Sequence, residues 1–170
     1  MSHFVLAGST GGTISGVGRY LKNKNDGVQI VLADPVGSVF TNYFRTGELG
    51  EGKSFLVEGV GKANIPGAMN FDIIDAVIPV NDTDAFTMCK RLARTEGIFV
   101  GGSAGLNVHA AVELANRVEG PATIVTLLCD IGIKYLSKVY NDAWLEENGV
   151  AEACPKDAPD APEAKRVKTH

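Results

Sequence analysis

The feature that most constrains this sequence is an alternation. Short apolar runs of strand length end in glycine or in Asp-Pro, and stretches with helical spacing follow them. Residues 4–6 form one such run and stop at Gly8. Residues 28–33 (VQIVLA) form another and stop at Asp34-Pro35, and residues 76–80, 98–100 and 123–128 repeat the pattern. Between them, residues 13–24 place Ile14, Val17 and Leu21 on one stripe. From Asn81 or Asp82 to about residue 95, Phe86, Cys89 and Leu92 fall at i, i+3 and i+6. Residues 104–118 and 140–148 read as two more helices. Continuously apolar strands alternating with helices predict parallel βαβ units. The expected fold class is therefore α/β, a three-layer arrangement with a parallel sheet and helices on both faces. Such sheets bind ligands outside the carboxyl ends of their strands. The chemistry is therefore sought in residues 8–13, at Asp34, in residues 101–105 and in residues 129–132. Residues 37–67, rich in glycine and aromatics, show no clear period, and no internal repeat is visible.

Composition narrows the class. A chain of 170 residues fits one domain and buries roughly 70% of its unfolded surface without disulfides or metal. No apolar run approaches the ~18 residues of a membrane span, and Met1-Ser-His leads into no signal-peptide pattern. The net charge of −4, with no basic stripe, argues against nucleic acid as a partner. Cys89, Cys129 and Cys154 are odd in number and widely spaced, which excludes a disulfide framework or a CxxC zinc site and suits a reducing compartment. No metal site is expected. From residue 151 to 170 the chain carries eight charges, three prolines and five alanines, so a disordered tail is expected after a folded body of residues 1–150.

The loops after the strands admit several readings. Gly8-Ser9-Thr10-Gly11-Gly12-Thr13 reads as a phosphate cradle, with close backbone amides, hydroxyl donors and a helix N-terminus behind them. The alternative is a tight strand-to-helix turn with capping hydroxyls. Gly12, Gly16 and Gly18 match the glycine spacing of short-chain dehydrogenases, with Asp34 as a ribose-binding acid, which keeps an NAD(P)-binding fragment in view. Against it, Gly16 and Gly18 fall inside the predicted helix, and Tyr20 and Lys24 form a Tyr-x-x-x-Lys pair at the wrong place. Gly101-Gly102-Ser103-Ala104-Gly105 fits the nucleophile-elbow pattern, but His109 lies one turn on along the same helix and no other histidine is placed to act as base. Ser103 then reads as a helix N-cap or as a hydroxyl aimed at a ligand ring. Cys129 reads as a buried small residue, Asp130 as a turn cap or a cleft residue, and His109 as a packing residue.

Read together, these loops resemble one family. The segments Ser9-Thr10-Gly11-Gly12-Thr13-Ile14-Ser15-Gly16, Ala33-Asp34-Pro35, Glu58-Gly59-Val60-Gly61, Ile65-Pro66, Gly101-Gly102-Ser103-Ala104-Gly105 and Tyr135-Leu136-Ser137-Lys138 follow one another in order. They are similar to the C-terminal half of the cysteine synthase/cystathionine β-synthase family, pyridoxal-phosphate enzymes of the tryptophan synthase β-like fold. The resemblance covers roughly residues 3–149. It implies that Ser9, Thr10, Gly11, Gly12 and Thr13 hold the cofactor phosphate. Ser103 would hydrogen-bond the pyridine nitrogen, Gly59 and Val60 would lie near cofactor and substrate, and Asp130 would lie near the pyridine edge. It further implies removal of a leaving group from the β-carbon of serine or O-acetylserine, followed by addition of sulfide or homocysteine. A neutral hydroxyl on the pyridine nitrogen suits that chemistry.

Two departures qualify the resemblance. Ser9 stands where the family usually has glycine. The family's Schiff-base lysine and its Thr-Ser-Gly-Asn substrate loop belong to the N-terminal half, and no lysine here, such as Lys62 or Lys134, has that context. The expectation is thus a fragment, most of a cofactor domain, catalytically silent alone but part of a lyase or transferase when complete. Its substrates would be small amino acids and thiols, and the full-length form would be a cytoplasmic homodimer unless a transit peptide precedes it. A standalone, non-catalytic cofactor-binding domain that pairs with a homologue is the alternative from another class.

Overall fold

The computed structural model describes residues 1–150; the predicted disordered tail lies outside the described residues. The elements run β1 (His3–Ala7), α1 (Gly12–Lys24), β2 (Gln29–Pro35), α2 (Phe40–Thr46), β3 (Ala76–Val80), α3 (Asp82–Arg91), α4 (Gly102–Ala115), β4 (Ile124–Thr126) and α5 (Asp142–Glu147). Short 3-10 turns at Phe71–Ile73 and Gly132–Tyr135 and a π turn at Leu92–Glu96 complete the order. The four strands form one sheet in the order β3-β2-β1-β4, every pairing parallel.

Strand alternation sends side chains to two cores. Phe4 and Leu6 of β1 and Ile30 and Leu32 of β2 pack with Ile14 of α1 and Phe40 of α2 on one face. Val5, Val31 and Ala33 pack with Phe86 and Cys89 of α3 and with Ala104 and Leu106 of α4 on the other. Both strands are buried on both sides, which is why they read as unbroken apolar runs. Each Val, Leu, Ile or Phe among them taken from water contributes about 1.5–3 kcal/mol. The three-layer α/β expectation is met.

Local signals explain the helix ends. The Asn81 side chain accepts the Asp84 amide at 2.8 Å, and α3 carries Asp82 and Asp84 in its first turn and Lys90 and Arg91 in its last. Asn141 caps α5 through the amides of Ala143 and Trp144. By contrast, α1 and α4 begin at Gly11 and Gly101, and neither has a side-chain cap.

Several boundaries differ from expectation. Residues 98–100 form no strand: only a single bridge joins Val100 to Ile131, and Ile98 and Phe99 stay partly exposed beside it. The run 123–128 shortens to a three-residue β4 because pairing with β1 stops at Thr126. The π turn follows α3 before residue 95, and Gly97, with φ 68°, closes it. The aperiodic 37–67 region contains α2, too short to show a period.

Candidate cofactor site

From β1 the chain moves through β2 to β3 on one side, and β4 lies on the other. The strand order therefore reverses between β1 and β4, where a crevice opens at the carboxyl ends. A cavity of about 290 Å³ occupies that place. Leu6, Ala7 and Gly8 at the end of β1 and Leu127 and Cys129 beyond β4 form its floor and one side. Ser9, Thr10, Gly11 and Thr13 form a second side, Gly59 and Val60 a third, and Ser103 of α4 reaches in from behind. Of the nine residues expected at the site, the structure brings seven together: Ser9, Thr10, Gly11, Thr13, Gly59, Val60 and Ser103.

The other two are placed differently. Gly12 opens α1 and does not line the cavity. Asp130 is not among the lining residues; it accepts the Tyr135 hydroxyl at 2.8 Å with the Lys134 ammonium at 3.5 Å, and its other carboxylate oxygen is buried without a hydrogen-bond partner. Burial, then the Asp130 contact, pushes the Tyr135 phenol up to about 12. Gly101 is fixed by this pair, because a Cβ there would sit 2.4 Å from the Tyr135 ring and still closer to Asp130.

Two backbone positions shape the first loop. Gly11 has φ 86°, and a Cβ on it would lie 2.4 Å from Met69 Cα, so only glycine turns the chain from β1 into α1 here. Gly8 accepts the Gly61 amide at 2.7 Å, which draws the 59–61 segment across the cavity. With no side-chain cap at Gly11, the first amides of α1 keep their donors for a ligand.

Ser103 is buried and is the second helical residue of α4; Gly101 holds the N-cap position, so the N-cap reading of Ser103 fails. No non-glycine residue among those described has a positive φ, so Ser103 is not on a strained elbow. His109 points to Asp84 at 3.8 Å, as expected of a packing residue. Among the described residues, none hydrogen-bonds the Ser103 hydroxyl. Cys129 is exposed at the cavity, against the expectation of a buried thiol. Asp34 is fully buried, bonded to Thr41 and absent from the cavity wall, so it is not placed as a ribose-binding acid. Gly18 packs against Ile73, where a Cβ would lie 2.6 Å away, while Gly16 meets nothing; both are helix positions and neither touches the cavity. The dinucleotide reading has no support from this geometry.

Asn107 was not foreseen. Fully buried, its carboxamide accepts the Ala7 amide at 2.7 Å and donates to the Leu127 carbonyl at 2.9 Å, tying α4 to both strand ends that floor the cavity. Its signal was the one carboxamide inside α4, one turn after Ser103. Among the described residues no cluster of metal-ligating side chains occurs, and no helix is long and apolar enough to cross a membrane.

Known proteins resemble this chain in sequence and fold. The chain is 35% identical over 158 residues to "Cysteine synthase 1" of Neurospora crassa, covering 90% of this chain and 42% of that protein. It is 40% identical over 149 residues to "N-(2-amino-2-carboxyethyl)-L-glutamate synthase" of Ralstonia nicotianae, covering 88% and 42%. Among solved structures, an O-acetylserine dependent cystathionine beta-synthase from Helicobacter pylori superposes with TM-score 0.73 at 30% identity, covering 81% of this chain and 43% of that one. An O-ureido-L-serine synthase superposes with TM-score 0.74 at 29% identity, covering 86% and 47%. The chain thus spans less than half the length of each of these relatives. Residues 1–130 match the profile described as "Pyridoxal-phosphate dependent enzyme", and to that family the chain belongs.

Proposed function

We propose that the protein containing these residues is a pyridoxal-phosphate-dependent β-replacement enzyme of sulfur amino-acid metabolism, and that this chain carries the cofactor's phosphate and ring-nitrogen sites. One observation carries the reading: the glycine–hydroxyl loop, the 59–60 segment and a buried, unengaged serine converge on one cavity at the strand-order reversal. The donor set fits the cofactor. The first amides of α1 and the hydroxyls of Ser9, Thr10 and Thr13 suit a phosphate dianion, with the helix end adding about 0.3–1 kcal/mol. Ser9, in place of a glycine, offers one more hydroxyl. The Ser103 hydroxyl suits the pyridine nitrogen, since it accepts or donates without imposing a charge. Leu6, Val60 and Leu127 give the lining an apolar part.

Bound there, pyridoxal phosphate supplies the electron sink that lets a leaving group depart from the β-carbon of a serine derivative. Among the described residues no lysine lines the cavity, so this reading takes the Schiff-base lysine from outside them. The chain alone is then a binding unit and not a catalyst. Asp130, bonded to Tyr135, packs against Gly101 and holds no part of the cofactor in this reading. Serine or O-acetylserine as donor, sulfide or homocysteine as acceptor, homodimeric assembly and a cytoplasmic site belong to the same reading. The relatives' differing names leave the acceptor to experiment.

The test supplies O-acetylserine with sulfide, and serine with homocysteine, to this chain alone. Both pairs are also given to the chain mixed with a polypeptide carrying the remaining portion of the N. crassa relative. Product only from the mixture is expected. Turnover by the chain alone, or no product from either while the intact relative is active, contradicts the reading.

A further inference from the structure

The two described cysteines stand in opposite surroundings. Cys89, on α3, is fully buried; its thiol donates to the Gly101 carbonyl at 3.3 Å, and burial pushes it up to about 12. Cys129 is exposed and lines the cofactor cavity. Pairing of β4 with β1 ends at Thr126, so the thiol stands beyond the ladder, on the cavity wall beside Leu127.

The sulfur has a defined place on that wall. Asn107 donates its carboxamide to the Leu127 carbonyl at 2.9 Å and to Cys129 Sγ at 3.5 Å. Asn107 comes four residues after Ser103 on α4, so the two side chains share one helix face. Ser103 is only 8% exposed, lines the same cavity, and has no hydrogen-bond partner among the described residues. A buried hydroxyl left unpaired is costly, so this end of the cavity is shaped to receive a polar group. The amides and hydroxyls of the 9–13 loop belong to the other end, at the start of α1. Cys129 thus stands with Ser103, at the end that the cofactor reading gives to the pyridine ring.

We propose that Cys129 is a thiol-modification site on the ring side of the cavity, where a mixed disulfide with a low-molecular-weight thiol occludes the place of the cofactor. The Cys129 thiolate attacks one sulfur of a small disulfide. The disulfide's S–S bond breaks, a new S–S bond forms to Cys129, and the released thiolate takes up the proton that Cys129 gave off. The Cys129 sulfur is oxidised and the released half is reduced. Modification follows exposure, which separates Cys129 from Cys89. The site itself rests on the geometry of the thiol and Ser103; its effect on the cofactor rests on the reading above.

The test treats the 170-residue chain carrying Cys154→Ser with glutathione disulfide and locates the adduct by peptide mass spectrometry. Modification of Cys129 with Cys89 left free is expected. No adduct at Cys129, or equal modification of Cys89, overturns the site. Pyridoxal phosphate is expected to slow the modification in step with its occupancy, and inorganic phosphate to change it by less than about twofold. Equal protection by the two would put the sulfur at the phosphate end and overturn the ring-side placement. Fluorescence titration with pyridoxal phosphate is expected to show affinity weakened about tenfold or more by the adduct, the scale of a steric overlap, and restored by dithiothreitol. Adding Cys129→Ser is expected to abolish the response to glutathione disulfide, whatever the affinity of that variant. Affinity unchanged by a complete adduct overturns the occlusion. If the untreated chain binds no pyridoxal phosphate, the cofactor reading falls and the occlusion with it, while the adduct map still decides whether Cys129 is a modification site.

Discussion

The side-chain carbonyl of Asn107 accepts the amide of Ala7 at 2.7 Å, which pins the middle of α4 to the last residue of β1. The same carboxamide donates to Leu127 beyond β4, so one side chain bridges the two strands on either side of the order reversal. Asn107→Leu leaves a buried amide and a carbonyl without partners and is expected to cost about 2–4 kcal/mol. Urea unfolding followed by circular dichroism measures it. Asn107→Asp keeps the acceptor for Ala7 but sets a second acceptor against Leu127, so it is expected to fall between wild type and Asn107→Leu.

Two glycines in one segment behave oppositely. Gly11→Ala forces a left-handed side chain against Met69 Cα and is expected to destabilise by about 2–5 kcal/mol, with loss of phosphate affinity. Gly16→Ala, on the exposed side of α1 with nothing within 4 Å, is expected to stabilise by about 0.5–1 kcal/mol. Thermal unfolding of the two variants side by side checks both signs.

The two edges of the sheet differ in kind. On β3, Pro79 removes a ladder donor, the mark of a guarded edge. On the other side, β4 pairs with β1 alone among the described residues, and residues 123–129 carry no charge. Leu128, Ile131, Ile133 and Leu136 lie exposed beside it, Ile133 to 59%. The 170-residue chain is therefore expected to self-associate through this strip. Leu128→Lys with Ile133→Lys is expected to raise the monomer share in sedimentation velocity while shifting stability by no more than ~0.5 kcal/mol.

Alkaline pH probes the second core. Tyr140 donates its hydroxyl to Val100 at 2.6 Å, and burial holds its phenol at about 12 against an ordinary 10.0. Burial likewise pushes the Cys89 thiol from 9.0 to about 12. Both groups titrate to anions and have folded values above their unfolded ones. Their contribution is whole below pH 9.0 and is lost as pH rises toward about 12. Tyr140→Phe is expected to cost about 1 kcal/mol at neutral pH. Its loss of stability above pH 10.0 should be shallower than that of wild type, as urea midpoints across the range would show.

The parallel α/β class and most of the cavity were legible in the sequence, because apolar runs buried on both faces leave an unbroken signature and glycine–hydroxyl clusters mark the strand ends. Ser9–Thr13 and Ser103 stood out for that reason. What escaped depends on which side chains and strands meet in the folded chain. Residues 98–100 have strand composition, but only Val100 finds a partner. Asp130 follows a strand-like run and suggested a cleft residue, yet Tyr135, five residues on, captures its carboxylate. Cys129 looked like core and is exposed, because pairing ends three residues earlier at Thr126. Asn107 matters through bonds across 100 and 20 residues, which no local pattern announces.

The most direct measurement is a fluorescence titration of this chain with pyridoxal phosphate, run beside pyridoxal and beside pyridoxal phosphate in excess inorganic phosphate. Saturable binding of pyridoxal phosphate, about a hundredfold or more tighter than pyridoxal and competed by phosphate, is what several charge-assisted donors at the 9–13 loop predict. Equal affinity for the two compounds, or no saturable binding, would contradict the account of this cavity as a phosphate-anchored cofactor site.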